Sequence, residues 1–502
     1  MQNDFKLAII FQDKMILQRN KKIKIFGECK KDVTITVKFL DYFYSFKTEK
    51  EVFCFSLDEL PAIKESFNIE ISSPNTKIVI NDVLVGDVLI CAGQSNMAFT
   101  VNESINVKFL ECENIRSFEV PKLPYEGADK DFDWLYSDNP KWIKADKDSI
   151  KWFSSIGYLV ATALEKEYDI PIGILSVNMG DTSVFTWTDE FTIKEYDKFN
   201  VYIDNYEKEY SKFKNRTEYE TNFKKQLPLL MKFYDLINEG ARLGKSSEEA
   251  HREAFKAIPD PFIPMGPLHQ NRPSGLFNSM VKRVIPYPAK CILYYQGEND
   301  KLYYDIYKDA QDAFCTSWRK AFKDELPIVI TQIAGYEYPD IEATAVAKLR
   351  VAQEKFIDPL RKKYLVSAAD QGERFNIHPK DKNVVSRRFV NVLREFIYND
   401  NENSLSPVVE EMIKEGNRLI IKTKYNDLDL KIIDKKDKSF VGITKDKQSK
   451  KLTDFYVVGK DLVINLDDND YQEIRYGFVN YPDLFIYTKN DLPLLPFCLT
   501  LE

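Results

Sequence analysis

Histidine is scarce in this chain of 502 residues. Only His251, His269 and His378 are present, so chemistry that needs an imidazole base has three places to look. The seven cysteines are scattered, odd in number and without paired spacing, which argues against a disulfide framework and for a reducing compartment. Histidines and cysteines never fall at metal-ligand spacing, so no metal or other cofactor is implied. No stretch approaches the roughly 18 apolar residues of a membrane span. The start, Met-Gln-Asn-Asp-Phe-Lys, lacks the basic and apolar run of a secretory signal, so the expected location is cytoplasmic. Neither sign of charge accumulates: the net charge is −7 with both signs interleaved, so neither nucleic acid nor an anionic membrane is an expected partner. Basic runs such as 361–363 read as solvated surface. Long repeats are absent, and the oligomeric state is left open.

What is present suits a large enzyme. A chain of this length exceeds what one core serves, so two or three domains are expected. Residues 1–82 show short alternating runs, such as Val33 to Phe39 and Val52 to Leu57, separated by polar turns, which read as a β-sandwich. From 83 to 404 strands and helices alternate: strands Val83 to Ala92, Ile172 to Asn178, Cys291 to Tyr295, Pro327 to Ile333 and Tyr364 to Ala369, with helices near Ile150 to Tyr168, Tyr304 to Phe322, Ala343 to Ile357 and Asp381 to Tyr398. That rhythm marks an α/β domain with a parallel sheet. Residues of about 189–262 break it with a charged, tyrosine-rich stretch in which Tyr202, Tyr206, Tyr210 and Phe213 recur at helical spacing. It reads as an inserted helical hairpin, packed by those rings or covering substrate. Residues 405–502 return to short strands and form a C-terminal β domain. The aromatic content of 13% fills a core and also suits a carbohydrate surface.

One turn concentrates the chemistry. Val85 to Met97 is an apolar run that stops at Gly93 and places Ser95 at the head of the next segment. A strand ending in glycine turns sharply enough to expose a nucleophile there. Serine needs a base to take its proton. His251 lies in the charged helical stretch Glu-Glu-Ala-His-Arg-Glu, and His269 on a proline-rich loop. His378, in Phe-Asn-Ile-His-Pro-Lys, directly precedes the last helix of the α/β rhythm, with Pro379 suited to a first helical position.

Gly93-Gln94-Ser95-Asn96-Met97, Tyr295-Gln296-Gly297-Glu298 and Ile377-His378-Pro379-Lys380, in that order, resemble the bacterial sialate O-acetylesterase family of SGNH hydrolases, whose members remove acetyl groups from sugars. Gln12 to Arg19, Arg272 to Met280 and Leu492 to Phe497 extend the likeness over nearly the whole chain. The resemblance implies a flavodoxin-like three-layer SGNH hydrolase domain between two β domains. It also implies a serine esterase: Ser95 attacks the acetyl carbonyl, His378 takes and returns the proton, and donors at Ser95, Gly180 and a side-chain amide meet the oxyanion. Two registers nominate that amide, Gln296 or Asn299, and the nearer family favours Gln296. Asp181 stands where the family commonly has a second glycine.

The group that orients His378 is the open point. Phe375 and Asn376 occupy the positions where relatives carry aspartate. Glu298 is the first choice, with Asp370, Glu373, Asn376 or no acid at all as the others. Asn96, Arg272 and Arg350 are the candidates for substrate binding, Arg374 also being available should a sugar carboxylate be read. The expected substrate is an O-acetylated sugar, sialate esters first and acetylated xylan or mannan oligosaccharides second. A carbohydrate-binding protein with a degenerate site is the reading from another class. A lipase or thioesterase would want an apolar groove that this insertion does not suggest.

Overall fold

The computed structural model describes residues 3–131, 140–243, 245, 247–338, 341–400, 403–467 and 470–501. Its organising element is the strand Thr76–Gly93, 18 residues long. The first part of this strand pairs antiparallel with Ile63–Ser73 and parallel with Ile16–Gln18. Its last part lies between the parallel strands Ile172–Asn178 and Cys291–Tyr295. Burial changes along it accordingly, alternating up to Asp82 and continuous from Val83 onward, as expected where a sheet becomes covered on both faces. The expected boundary at 82/83 therefore falls inside one strand. Asp82 marks it with a left-handed φ of 57° and holds Arg116 and Lys144 at 2.9 Å each.

The N-terminal strands form two sheets, Phe5–Leu7 with Lys24–Cys29 and Val52–Ser56, and Thr34–Phe39 with Tyr42–Lys47 and Ile63–Ser73. Their inward residues, among them Ile25, Val37 and Ile71, belong to the same continuous core as Leu89, Ile174 and Leu293 of the central sheet.

Across the central sheet the order is Trp142–Ala145, Cys112–Glu119, Ile172–Asn178, Thr76–Gly93, Cys291–Tyr295, Ile328–Gln332 and Lys363–Ser367. All neighbours here are parallel except the Trp142–Ala145 edge. Helices pack on either face. A Cβ on Gly157, in the helix Ser155–Tyr168, would come within 3.0 Å of Cys91 and Ile174, and Phe396 of the helix Asn383–Phe396 stacks on Tyr364 at 4.4 Å. On the opposite side of the pleat, Phe314 of the helix Tyr304–Phe322 stacks on Tyr294 at 4.1 Å. Together with the N- and C-terminal strands this makes a mixed α/β architecture with additional β regions.

The C-terminal strands form two four-stranded sheets, Val408–Glu415 to Phe455–Val458 and Ser449–Leu452 to Phe497–Thr500, around a core of their own that includes Leu419, Phe440, Phe455, Ile474 and Phe497. Between Asn178 and Cys291 the insertion contributes three longer helices, Asn200–Tyr210, Arg216–Arg242 and Ser247–Ala257, rather than the two of a hairpin; 244 and 246 lie outside the described residues. The expected aromatic face does pack: Tyr202 is buried and stacks on Phe185 at 4.4 Å, and Phe213 meets Tyr219 edge-on. Among the described residues no helix is long and apolar enough to cross a membrane.

Candidate active site

The strand Thr76–Gly93 ends where only glycine fits. Gly93 has φ +129°, and a Cβ there would sit 2.1 Å from the carbonyl oxygen of Tyr295 on the adjacent strand. The chain then turns, Gln94 N–H donating to that same carbonyl at 3.0 Å, and Ser95 opens the short helix Ser95–Ala98. Gly180, two residues past the strand Ile172–Asn178, is so near that a Cβ on it would lie 3.6 Å from Ser95 Cβ. Ser95, Gly180 and His378 line one cavity of about 470 Å³. Three separate strand ends thus meet at the C-terminal edge of the sheet, where α/β folds gather their sites.

His378 sits on the loop between Lys363–Ser367 and Asn383–Phe396. Glu373 accepts from Asn376 Nδ2 (2.9 Å) and from Lys380 N–H (2.6 Å), and Asn376 Oδ1 accepts from His378 N–H at 3.1 Å. Asn376 and Glu373 therefore shape the backbone and leave the imidazole alone. Asp370 is engaged by Arg388 at 2.6 and 2.8 Å, and Phe375 is exposed. Among the described residues no carboxylate bonds the His378 ring, which rests beside Phe99 at 6.1 Å. Nor is the ring hydrogen-bonded to Ser95, as is common before substrate tightens an active site. Pro379 does not begin the helix, which starts at Asn383 behind Asp381; the Asp381 carboxylate accepts from Asn383 N–H at 2.8 Å.

Glu298 faces the cavity but serves the serine turn. Its two oxygens accept from Gln94 Nε2 at 2.6 Å and Asn96 Nδ2 at 2.7 Å, so it grips both neighbours of Ser95. Asn96 also donates to Ile377 O at 3.1 Å and accepts from Lys382 Nζ at 2.7 Å. This corrects the expectation for Asn96: at 1% exposure it is a buried link, not a substrate ligand. Lys382, which nothing in the sequence singled out, is equally buried beneath Phe99. Burial raises the pKa of Glu298, opposed by the Asn96 bond and the charge of Lys382, while burial lowers Lys382 to about 8.

Burial also lowers His378 to about 4, with Lys382 adding to the push. Only the neutral imidazole can accept a proton, so kcat/KM for an aryl acetate is expected to climb as pH rises through about 4 and then hold level through neutrality. Lys382→Met removes a cation that disfavours the imidazolium, and the acid limb of the profile should move to higher pH. A limb that stays in place would show that this charge does not reach the ring.

Three further expectations are corrected. Gln296 cannot supply the oxyanion amide: its Nε2 donates to Thr182 O (2.9 Å) and Asp300 (2.5 Å), its Oε1 accepts from Tyr307, and the side chain is buried outside the cavity. Asn299, the amide of the other register, lines the cavity and has no bonded partner among the described residues. Arg272 donates to Pro124 O and Gly275 O, bracing a turn. Arg350, fully buried, donates to the carbonyls of Ile333, Ala334, Val479 and Asn480, tying the central sheet's loops to the C-terminal β region. Neither arginine lines the cavity. His269 is a half-buried acceptor for Asn271 N–H at 3.0 Å.

The cavity is completed by Asp181, Tyr234, Gln270 and Lys301. Asp181 explains the position where a glycine was expected: its φ is 55°, a left-handed conformation that aspartate tolerates better than most residues. Tyr234 comes from the helical insertion and gave no signal in the sequence. Among the described residues no cluster of histidine, cysteine and carboxylate side chains could hold a metal ion.

The chain is 23% identical over 347 residues to the sialate O-acetylesterase of Rattus norvegicus, covering 63% of this chain and 58% of that protein. It is 24% identical over 213 residues to the human one, covering 38% and 40%. It thus spans less than two thirds of the length of these relatives. The crystal structure of a carbohydrate acetylesterase from Xanthomonas citri shares the fold, with a TM-score of 0.76 at 19% identity over 99% of this chain and all of that one. Residues 267–386, which carry Glu298 and His378, match the model of a family described as carbohydrate esterases, sialic acid-specific acetylesterases.

Proposed function

We propose that this chain is a serine O-acetylesterase that deacetylates carbohydrates, sialate esters first. The observation that carries this is the convergence of Ser95, His378, Gly180 and Asn299 on one cavity. Ser95 Oγ attacks the acetyl carbonyl while His378 accepts its proton. The oxyanion meets the N–H groups of Ser95 and Gly180 and the amide of Asn299; no backbone carbonyl occupies the Gly180 N–H among the described residues. Each such donor is typically worth about 100- to 1,000-fold in rate. The imidazolium then protonates the leaving sugar hydroxyl, and water releases acetate by the same steps in reverse roles.

The central domain is read as a flavodoxin-like three-layer SGNH hydrolase domain of 83–404 with its insertion at about 189–262, flanked by β domains of 1–82 and 405–502. Support comes from strand order: numbered from the serine strand, and setting aside Cys112–Glu119 and Trp142–Ala145, the parallel strands run 2-1-3-4-5. Seven unpaired thiols accord with a cytoplasmic location.

Acetylated xylan or mannan fragments are the second reading, favoured because no arginine lines the cavity among the described residues. Acetate release from an O-acetylated sialic acid and from acetylated xylo-oligosaccharides, measured side by side, tests both. Turnover of the first is expected; turnover of the second alone would reassign the substrate. No turnover of either, nor of an aryl acetate, would overturn the esterase reading in favour of a binding role.

A further inference from the structure

The mechanism leaves two polar groups in the cavity without work. Among the described residues the Asp181 carboxylate makes no hydrogen bond or ion pair, and the Tyr234 hydroxyl has no bonded partner, yet both line the same cavity as Ser95. Elsewhere around the site almost every carboxylate is held: Glu298 by two amides, Asp300 by Ser183, Val184 and Gln296, and Asp370 by Arg388. The Asp181 side chain is exposed, facing the open cavity, where a ligand can donate to it.

The backbone that presents each group is held in place. The Asp181 carbonyl accepts from Gln270 Nε2 and Asn271 Nδ2 at 3.0 and 2.8 Å, one residue from Gly180, where an added Cβ would lie 3.6 Å from Ser95 Cβ. Tyr234 is 45% exposed, but the adjacent Phe233 is locked into a core with Ala254 and Ile258, which fixes the helix that carries it. Asp181 is near enough to act electrostatically on both Tyr234 and Lys301.

We propose that Asp181 and Tyr234 form the sugar-binding subsite of this cavity, the carboxylate accepting hydrogen bonds from hydroxyls of the acetylated sugar and the ring covering its apolar C–H face. The assignment rests on the esterase reading and adds the residues that tell a sugar ester from a simple one. Sugars suit the pair because they offer a ring face of aliphatic hydrogens beside an edge of hydroxyl donors. An ionised carboxylate only accepts, and aromatic rings favour such amphipathic partners. Partial enclosure by the cavity pushes Asp181 up to about 6, against the pull of Lys301, but the side chain stays exposed to water and is ionised at neutral pH.

The test uses the full chain with Asp181→Asn, Tyr234→Ala and Tyr234→Phe, each assayed on an O-acetylated sialic acid, on acetylated xylobiose and on an aryl acetate. The ratio of kcat/KM for the turned-over sugar to that for the aryl ester is expected to fall roughly 10- to 100-fold in the first two variants, mostly through KM, and to survive in Tyr234→Phe. An unchanged ratio in Asp181→Asn and Tyr234→Ala overturns the subsite. If wild type hydrolyses no ester, the esterase reading fails separately. Calorimetric titration with the deacetylated sugars then decides: undiminished binding by both variants overturns the subsite, and lost binding supports it.

Discussion

Ser95→Ala is expected to lower acetate release by about a million-fold, to a floor that His378→Ala reaches alone and that the double variant does not lower further. Residues that act as one unit lose their function together, so the two effects should not add. The floor should still lie about 1,000- to 10,000-fold above the uncatalysed reaction, because Gly180 and Asn299 keep their places around the acetyl carbonyl. Alanine at 95 leaves the Gly93 turn untouched, so the folded chain should retain its stability. Acetate release under single-turnover conditions measures all three variants. If His378→Ala kept more than a tenth of wild-type activity, another base would be at work and the assignment of His378 would fall.

Glu298 is expected to give the second largest effect, by an indirect route. Glu298→Gln turns an amide N–H₂ toward Gln94 or Asn96, both of which are themselves donating, and removes the foremost of the carboxylates that act on the buried Lys382. A loss in kcat of about 100- to 1,000-fold with little change in KM is expected, since a misplaced nucleophile costs chemistry more than binding. Glu298→Ala should in addition destabilise the fold by about 1–3 kcal/mol, because the buried Gln94 and Asn96 amides lose their acceptor. The pH profile separates this positioning role from membership of a triad. Were Glu298 the partner of the His378 ring, its neutralisation would move the acid limb of kcat/KM to lower pH. Through the serine turn alone, the limb keeps its place while the plateau drops.

What was legible was local. Cys291–Tyr295, Ile172–Asn178 and Tyr304–Phe322 occupy the spans that hydrophobic rhythm marks out, because burial on two faces or along one stripe writes itself into consecutive residues. Ser95 was visible because a glycine that must turn stands beside it. Side-chain direction at a strand end was not. Gln296 follows Tyr295 on the pleat and points toward Tyr307, while Asn299 reaches the cavity only after the chain has turned through Gly297 with φ +154°. Arg272 and Arg350 read as ligands for an anion, yet their donors satisfy carbonyls brought in from up to 148 residues away along the chain, a demand no local pattern announces. The break in rhythm at residue 83 coincides with a change of neighbours: the strand continues there with different partners.

The helical insertion leaves the sheet after Ile172–Asn178 and returns at Cys291–Tyr295, the two strands that flank the serine strand. Since all three are parallel, the connection has to begin at the edge where Ser95 sits and cross from one side of it to the other. The insertion therefore reaches the cavity, through Tyr234, without taking part in the hydrogen-bonded register of the strands beneath. On the esterase reading, changes of length or composition there would alter which ester is admitted while Ser95, Gly180 and His378 keep their places.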